Sequence, residues 1–311
     1  MSDLVDQSGD PLRLLLVHAH PDDETTTTGA TAARYAAEGI GVHLVTCTRG
    51  ERGEVLDEEL QASLAGLDPD AAALRLGEQR GRELAGACAE LGFTDWRFLA
   101  GPDRWWDSGM ADTPTASHLK AFSAGDLTAQ ADALATVIRE LRPQVVVTYD
   151  ERGGYGHPDH IRAHEITVAA VQRAAQDANP DFTGQPWQAT KVYACVVPRS
   201  AMEHAIATLA KITTDGPNPL ATVRDAAGDA PFAVSDDLVA ARIEADDWLP
   251  AKSRAMRAHR SQMHLNGWFF ALVDNGVFGT EHFRLLLGSA APPPGEQWED
   301  DLFAGLRAPA R

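Results

Sequence analysis

The sequence predicts an α/β fold: a Rossmann-like, mostly parallel sheet with helices on both faces, plus a smaller C-terminal α+β portion. Three observations carry that prediction. Strand-length apolar runs alternate with helical segments between Leu12 and Val197, the pattern of consecutive βαβ units with right-handed crossovers. The runs lack polar alternation, as strands buried on both faces do. Beyond Val197 the alternation loosens into mixed helical and strand-like pieces.

Leu12–His18 (LRLLLVH) reads as the first strand, and Ala30–Glu38 (ATAARYAAE) as a helix stopped by Gly39. Gly41–Thr48 (GVHLVTCT) is a β-branched second strand. Asp70 can cap a long helix that runs to Leu91 and ends at Gly92. Trp96–Leu99 is the third strand. A helix opened by Asp126 or Thr128 must finish before Pro143. Gln144–Tyr149 (QVVVTY) is the fourth strand, Pro158–Ala175 a helix with Pro in its first turn, and Lys191–Val197 (KVYACVV) the fifth strand. Ala201–Ile212 and Leu249–Met263 read as helices, Trp268–Leu272 and His282–Leu287 as strands. A short terminal helix is expected over Asp300–Leu306 after the PPPG loop. Residues 213–235 and 51–70 are the loop-like stretches where a lid is expected.

The chain has 311 residues, enough to bury a core without staples. Its 27 Lys and Arg against 45 Asp and Glu give a net charge of −18, which argues against a nucleic-acid partner. Cys47, Cys88 and Cys195 are too scattered for a disulfide framework or a cysteine zinc site, and read as thiols of a reducing compartment. No leader pattern and no run of about 18 apolar residues is present, so a cytoplasmic location without a membrane partner is expected.

Two clusters stand just after expected strands: His20-Pro21-Asp22-Asp23-Glu24 after the first, and Tyr155-Gly156-His157-Pro158-Asp159-His160 after the fourth. In a doubly wound sheet of order 3-2-1-4-5, strands 1 and 4 are neighbours where the order reverses, and ligands collect at their carboxyl ends. The two clusters are therefore expected to face each other. Imidazoles and carboxylates in His-x-x-Asp and His-x-x-His spacing suit a divalent metal with an open position for water. A neighbouring carboxylate that does not bind the metal can take the water's proton.

Other readings fail on particular residues. A dinucleotide site would carry Gly-x-Gly-x-x-Gly where this chain has His-Pro-Asp-Asp-Glu. There is no Gly-x-Ser-x-Gly elbow. His18 reads as part of the strand-to-loop transition, and His43, His118, His164, His204, His259, His264 and His282 as core, surface or capping residues.

AHPDDE at Ala19–Glu24 with GHPDH at Gly156–His160 resembles the zinc-dependent N-acetylglucosaminyl deacetylase family. That family includes the phosphatidylinositol-glycan deacetylases and the mycothiol-pathway enzymes. LVTCTRGERGEV at 44–55, RWWDSGMAD at 104–112 and VVTYDERGGYGHPDH at 146–160 extend the resemblance, most closely to the mycothiol-pathway GlcNAc–inositol deacetylases.

The resemblance implies His20, Asp23 and His160 as ligands of one Zn²⁺, with Fe²⁺ or another divalent metal also suited to the set. It implies Asp22 as general base, His157 as general acid or oxyanion partner, Tyr155 as oxyanion donor, and Asp159 as the group that orients a histidine. Arg80, Asp107 and Glu54, and more weakly Asn275, match substrate-binding positions. Trp105, Trp106, Trp268, Phe269 and Phe270 are candidates for a pocket wall, though core packing explains most such residues.

The implied substrate is a small GlcNAc–inositol conjugate. The alternatives are a mycothiol S-conjugate amidase, a deacetylase of another GlcNAc glycoside, or a non-catalytic sugar-binding protein on the same fold. Gly156 lies where the amidases tend to carry Pro, and Thr25–Thr28 lacks their Lys. The expected organisation is a Rossmann-like metal-binding catalytic core over 12–185, a portion over 186–290 that completes the fold and pocket, and a tail over 291–311.

Overall fold

The computed structural model describes residues 4–111, 113–176, 184–212 and 232–308. Strand β1 (Arg13–His18) leads into helix α1 (Asp23–Glu38), β2 (Gly41–Thr46), a short α2 (Glu58–Leu64), α3 (Pro69–Leu91) and β3 (Asp95–Phe98). Next come α4 (Leu127–Leu141), β4 (Val145–Tyr149), a single turn α5 (Gly153–Gly156), α6 (Pro158–Ala174) and β5 (Lys191–Pro198). The chain continues with α7 (Arg199–Leu209), β6 (Ala233–Val234), β7 (Ala241–Glu244), α8 (Leu249–Ala258), α9 (Trp268–Asp274) and β8 (Thr280–Leu287).

The strands form one sheet of order β3-β2-β1-β4-β5-β8-β7, with β6 paired to the end of β5. β3 to β5 are parallel, while β8 runs antiparallel to both β5 and β7. The sheet therefore continues across residue 185. Alternate residues feed two cores, as a pleat with period two requires. Leu15, Val17, Val45 and Val146 point to the face covered by α4 and α6. Leu14, Leu16, Leu44, Val145 and Val147 point to the other, with Tyr35 of α1 and Leu84 of α3.

Helix ends follow local chemistry. Gly39 and Gly92 close α1 and α3 in the left-handed conformation, where a Cβ is costly. Asp126 caps α4 by accepting the Ala129 N–H. Asp68, rather than Asp70, caps α3: its carboxylate accepts the Asp70 N–H, and Pro69 takes the first helical position.

Four further expectations need correction. Helix α1 begins at Asp23 rather than Ala30. Trp268–Leu272, expected as a strand, is the start of helix α9, because Phe270 and Val273 sit three apart on one face against Met256. The helix expected to reach Met263 stops at Ala258, where His259 leaves helical geometry and turns inward. The terminal helix expected over Asp300–Leu306 is a run of turns, with Ala304 N–H on Asp301 O and Leu306 N–H on Phe303 O.

That turn run is anchored deeply. The Tyr35 hydroxyl donates to Asp301 at 2.9 Å and accepts the Leu302 N–H at 2.7 Å, which sets Leu302 and Phe303 into the α1-side core. Of the stretches expected to hold a lid, 51–70 contains α2, while residues 213–231 lie outside the described residues. Among the described residues no helix is long and apolar enough to cross a membrane.

Candidate active site

The ends of β1 and β4 are stitched together. The Tyr149 hydroxyl accepts the Ala19 N–H at 2.9 Å and lies 3.2 Å from His18 Nδ1, whose Nε2 is 3.0 Å from Thr28 Oγ1. The two clusters, 139 residues apart at His20 and Asp159, therefore meet.

After β1 the chain folds back on itself. The Asp23 carboxylate accepts the His20 N–H at 2.9 Å, and Asp22 between them takes the left-handed φ of 109°. After β4, Asp150 Oδ1 accepts the N–H groups of Arg152 and Gly154 and shapes the turn. Gly153 has φ 63°, and a Cβ there would lie 2.7 Å from the Ile161 nitrogen, so the turn needs a glycine. The turn delivers Tyr155 to the surface and His157 to the N-cap of α6.

His157 Nδ1 accepts the Asp159 N–H at 3.1 Å. A neutral ring held this way carries its proton on Nε2. Asp159, fully buried, accepts from His20 Nε2 at 3.2 Å and from the Ser108 N–H at 2.9 Å. That bond fixes the His20 tautomer and leaves Nδ1 free on the side of Asp23. Asp23 Oδ2 is 3.4 Å from His20 Nδ1 and 3.4 Å from His160 Nε2. His160, stacked on Tyr149 at 4.2 Å, has a buried Nε2 with no hydrogen-bond partner among the described residues.

An orphaned buried imidazole nitrogen is costly unless something absent from the polypeptide uses it. A carboxylate oxygen flanked at 3.4 Å by two imidazole nitrogens is a donor set that suits a divalent ion. Nitrogens of His20, His157 and His160 also lie within 4.8 Å of one another, as do donor atoms of His20, Asp107 and Asp159. The cluster could hold a metal ion.

Electrostatics sort the carboxylates. Burial would raise the Asp23 pKa, but His160 and His20 hold it well below the ordinary range. Asp22 goes the other way. Burial and the nearby Asp23 push its pKa up to about 6, although the Arg80 guanidinium opposes the rise. Burial and the adjacent His20 bring His157 down to about 4, so its ring is neutral near pH 7. Burial would lower His20, but Asp107, Asp159 and Asp23 raise it well above the ordinary value.

The structure gathers His20, Asp22, Asp23, Tyr155, His157, Asp159, His160, Arg80 and Asp107 around this point. Arg80 is 3% exposed, not a surface charge: it donates to Gly50 O at 2.9 Å and Pro21 O at 2.6 Å and lies 3.4 Å from Asp22 Oδ2. Asp107 Oδ1 is 3.5 Å from His20 Nε2. Glu54 is exposed. Asn275 is exposed at the end of α9, its amide on Ala271 O.

Sequence reasoning missed Glu51, which is buried and accepts the Asp107 N–H, although it lies in the same RGERGEV run as Glu54. The Ser108 N–H is a backbone donor and leaves no signal in residue type. A cavity of about 850 Å³ opens from Asp23, Tyr155 and His160 and is walled by Trp268, Phe269 and Phe270. Trp105 and Trp106 are instead buried elsewhere, Trp105 in the α4–α6 core and Trp106 against His118.

Residues 15–171 match the family model described as PIG-L, GlcNAc-PI de-N-acetylase. The chain belongs to the PIG-L family. A relative from Catenulispora acidiphila, a 1D-myo-inositol 2-acetamido-2-deoxy-α-D-glucopyranoside deacetylase, is 52% identical over 98% of this chain and 89% of its own. One of the same description from Geodermatophilus obscurus is 50% identical over 94% of this chain and 98% of its own. Among solved structures, N,N'-diacetylchitobiose deacetylase from Pyrococcus horikoshii shares the fold. Its TM-score is 0.55 at 19% identity, over 91% of this chain and 87% of that one. The PIG-L match spans both motif clusters and the sheet from β1 through most of α6.

Proposed function

We propose that this PIG-L protein hydrolyses the N-acetyl amide of 1D-myo-inositol 2-acetamido-2-deoxy-α-D-glucopyranoside, giving glucosaminyl-inositol and acetate. This is the step in mycothiol synthesis that the sequence resemblance implies. The observation that carries it is the Asp23 carboxylate flanked at 3.4 Å by His20 and His160, beside a second carboxylate, Asp22, whose pKa burial raises to about 6. The names of relatives about half identical over nearly the whole chain supply the substrate.

His20 Nδ1, Asp23 Oδ2 and His160 Nε2 would hold a divalent ion, Zn²⁺ first by donor type and Fe²⁺ as the alternative. Bound there, it supplies Lewis acidity to the water and the amide carbonyl. Asp22 takes the water's proton as the oxygen attacks the carbonyl carbon. Tyr155 Oη–H and His157 Nε2–H donate to the oxygen that gains charge. His157, held neutral, acts as a hydrogen-bond donor rather than as the acid. The proton on Asp22 then passes to the amide nitrogen as the C–N bond breaks, which suits a group with a pKa near 6.

Arg80 keeps Asp22 charged and aimed, and Asp107 faces the sugar hydroxyls. Glu54 and Asn275, both exposed, are left with the substrate-binding part that the resemblance gives them. Gly156, at φ 91°, holds a backbone conformation that proline cannot adopt, so the loop here is not the Pro-bearing form of the amidases.

The test is amine release by metal-loaded protein from the acetylated GlcNAc–inositol beside a mycothiol S-conjugate. Turnover of the acetyl sugar in preference supports the proposal. Preference for the conjugate replaces it with the amidase, and no turnover of either sinks both.

A further inference from the structure

Helix α8 comes from the C-terminal half, yet the segment carries two side chains that service α1. Lys252 and His259 are seven residues apart, two helical turns, and both are fully buried. Lys252 Nζ lies 2.7 Å from Glu281, whose carboxylate accepts the N–H groups of Ala30 and Thr31 at 3.0 and 2.9 Å. His259 caps the end of α8, and its Nε2 lies 2.8 Å from Glu24 Oε1. The other oxygen of Glu24 accepts the Asp22 N–H at 2.9 Å, and Thr25 Oγ1 also donates to Oε1. Among the described residues His259 Nδ1 is buried without a partner, and the contact with Glu24 is the ring's one side-chain hydrogen bond.

Asp22 needs such a restraint. Its φ of 109° is one that a residue with a Cβ holds only when its surroundings enforce it. Nothing caps the first turn of α1 through the Asp22 side chain. Arg80 holds the carboxylate end, and Glu24 holds the backbone end through one N–H.

We propose that the Glu24–His259 pair is a positioning device that fixes the backbone of Asp22 so that its carboxylate faces the attacking water. This rests on the reading of Asp22 as the general base. His259 hydrogen-bonds to Glu24 and, among the described residues, to neither Asp22 nor the metal ligands, while its charge also favours the Asp22 carboxylate. Without its N–H, a fully buried carboxylate loses its only imidazole partner. Glu24 then turns, the bond to the Asp22 N–H weakens, and the turn relaxes towards an ordinary φ. The base moves off line while the metal ligands, held separately by Asp159 and the Asp23–His20 bond, stay in place.

Two isopolar variants of the metal-loaded enzyme separate positioning from packing. His259→Gln keeps an N–H donor near the Nε2 position, whereas His259→Asn moves it back to the Nδ1 position, out of reach of Glu24. The expected result is a kcat loss of about ten- to a hundredfold for His259→Asn with KM and metal content unchanged, and a kcat within about threefold of wild type for His259→Gln. In an Asp22→Asn background, His259→Asn should lower the residual rate no further, because its effect runs through the base. Equal loss in both backgrounds, loss of metal, or no difference between the two variants overturns the proposal. If His259→Asn does not fold, Glu24→Gln takes its place, with the same kcat loss and the same absence of effect in the Asp22→Asn background expected. Near-normal turnover by Asp22→Asn itself is a different outcome: it removes the base assignment on which the device depends.

Discussion

The Arg80 guanidinium lies 3.4 Å from the Asp22 carboxylate while its own position is fixed by the carbonyls of Pro21 and Gly50. A buried cation on this short tether holds down the pKa of Asp22, the proposed base. Burial raises the Asp22 pKa to about 6, and Arg80 is the main force holding it down. In the proposed role of general base Asp22 works only when ionised, so kcat/KM should fall as pH drops through its pKa. A bound divalent cation also favours the carboxylate, so the acidic limb of the metal-loaded enzyme should lie between 3.8 and about 6. Arg80→Met should move that limb upward. A limb that stays put in pH–rate profiles would count against the coupling.

Asp22→Asn should lower kcat by about a hundred- to ten-thousandfold, the usual contribution of a general base, and abolish the acidic limb. Metal content, read by elemental analysis, should not change. Loss of metal in this variant would make Asp22 a ligand instead.

Asp159 bonds His20 on the side away from Asp23. Asp159→Asn should therefore weaken metal affinity about ten- to a hundredfold, as is typical when the partner of a ligating histidine is lost. His20→Ala should lose metal and activity together. Competition with a chelator gives both numbers, and unchanged affinity in Asp159→Asn would reject the orienting role.

Tyr155 is 57% exposed at the cavity mouth, with its ring 5.0 Å from that of His160. Tyr155→Phe removes only the hydroxyl. Removing an oxyanion donor should lower kcat by about a hundred- to a thousandfold with little change in KM. Steady-state kinetics that show only a KM effect would assign the hydroxyl to substrate binding.

Lys191 at the start of β5 pairs with Glu299, and Tyr193 donates to the same carboxylate. Lys191 and Glu299 are both almost completely buried. Lys191→Met strands that carboxylate and should cost about 3–5 kcal/mol in chemical denaturation. A cost near zero would mean that Tyr193 and the Ala291 N–H satisfy Glu299 unaided.

The strand order 3-2-1-4-5 and the meeting of the two motifs were legible because both rest on local signals: apolar runs, helix stops, and ligand-type residues at strand ends. What escaped was non-local. Nothing near Glu24 in sequence points to His259, 235 residues away. The strand propensity of WFFAL was overruled by packing on Met256. The left-handed Asp22 follows from a fold-back that only the Asp23–His20 bond reveals. Glu51 was hidden by Glu54, which has the same chemistry three positions on, because only burial tells them apart.

The Tyr35 hydroxyl waits for a partner 267 residues later in the chain. During synthesis, β1, α1 and β2 leave the ribosome with the Leu302–Phe303 side of their core unfilled. Collapse of the early βαβ units can start at once, but the α1 face stays open to other chains until the final turn run has emerged. A ribosome that stops before Asp301 therefore releases a chain with a wetted core and an exposed apolar patch, a target for chaperones and proteases rather than a slightly shorter enzyme.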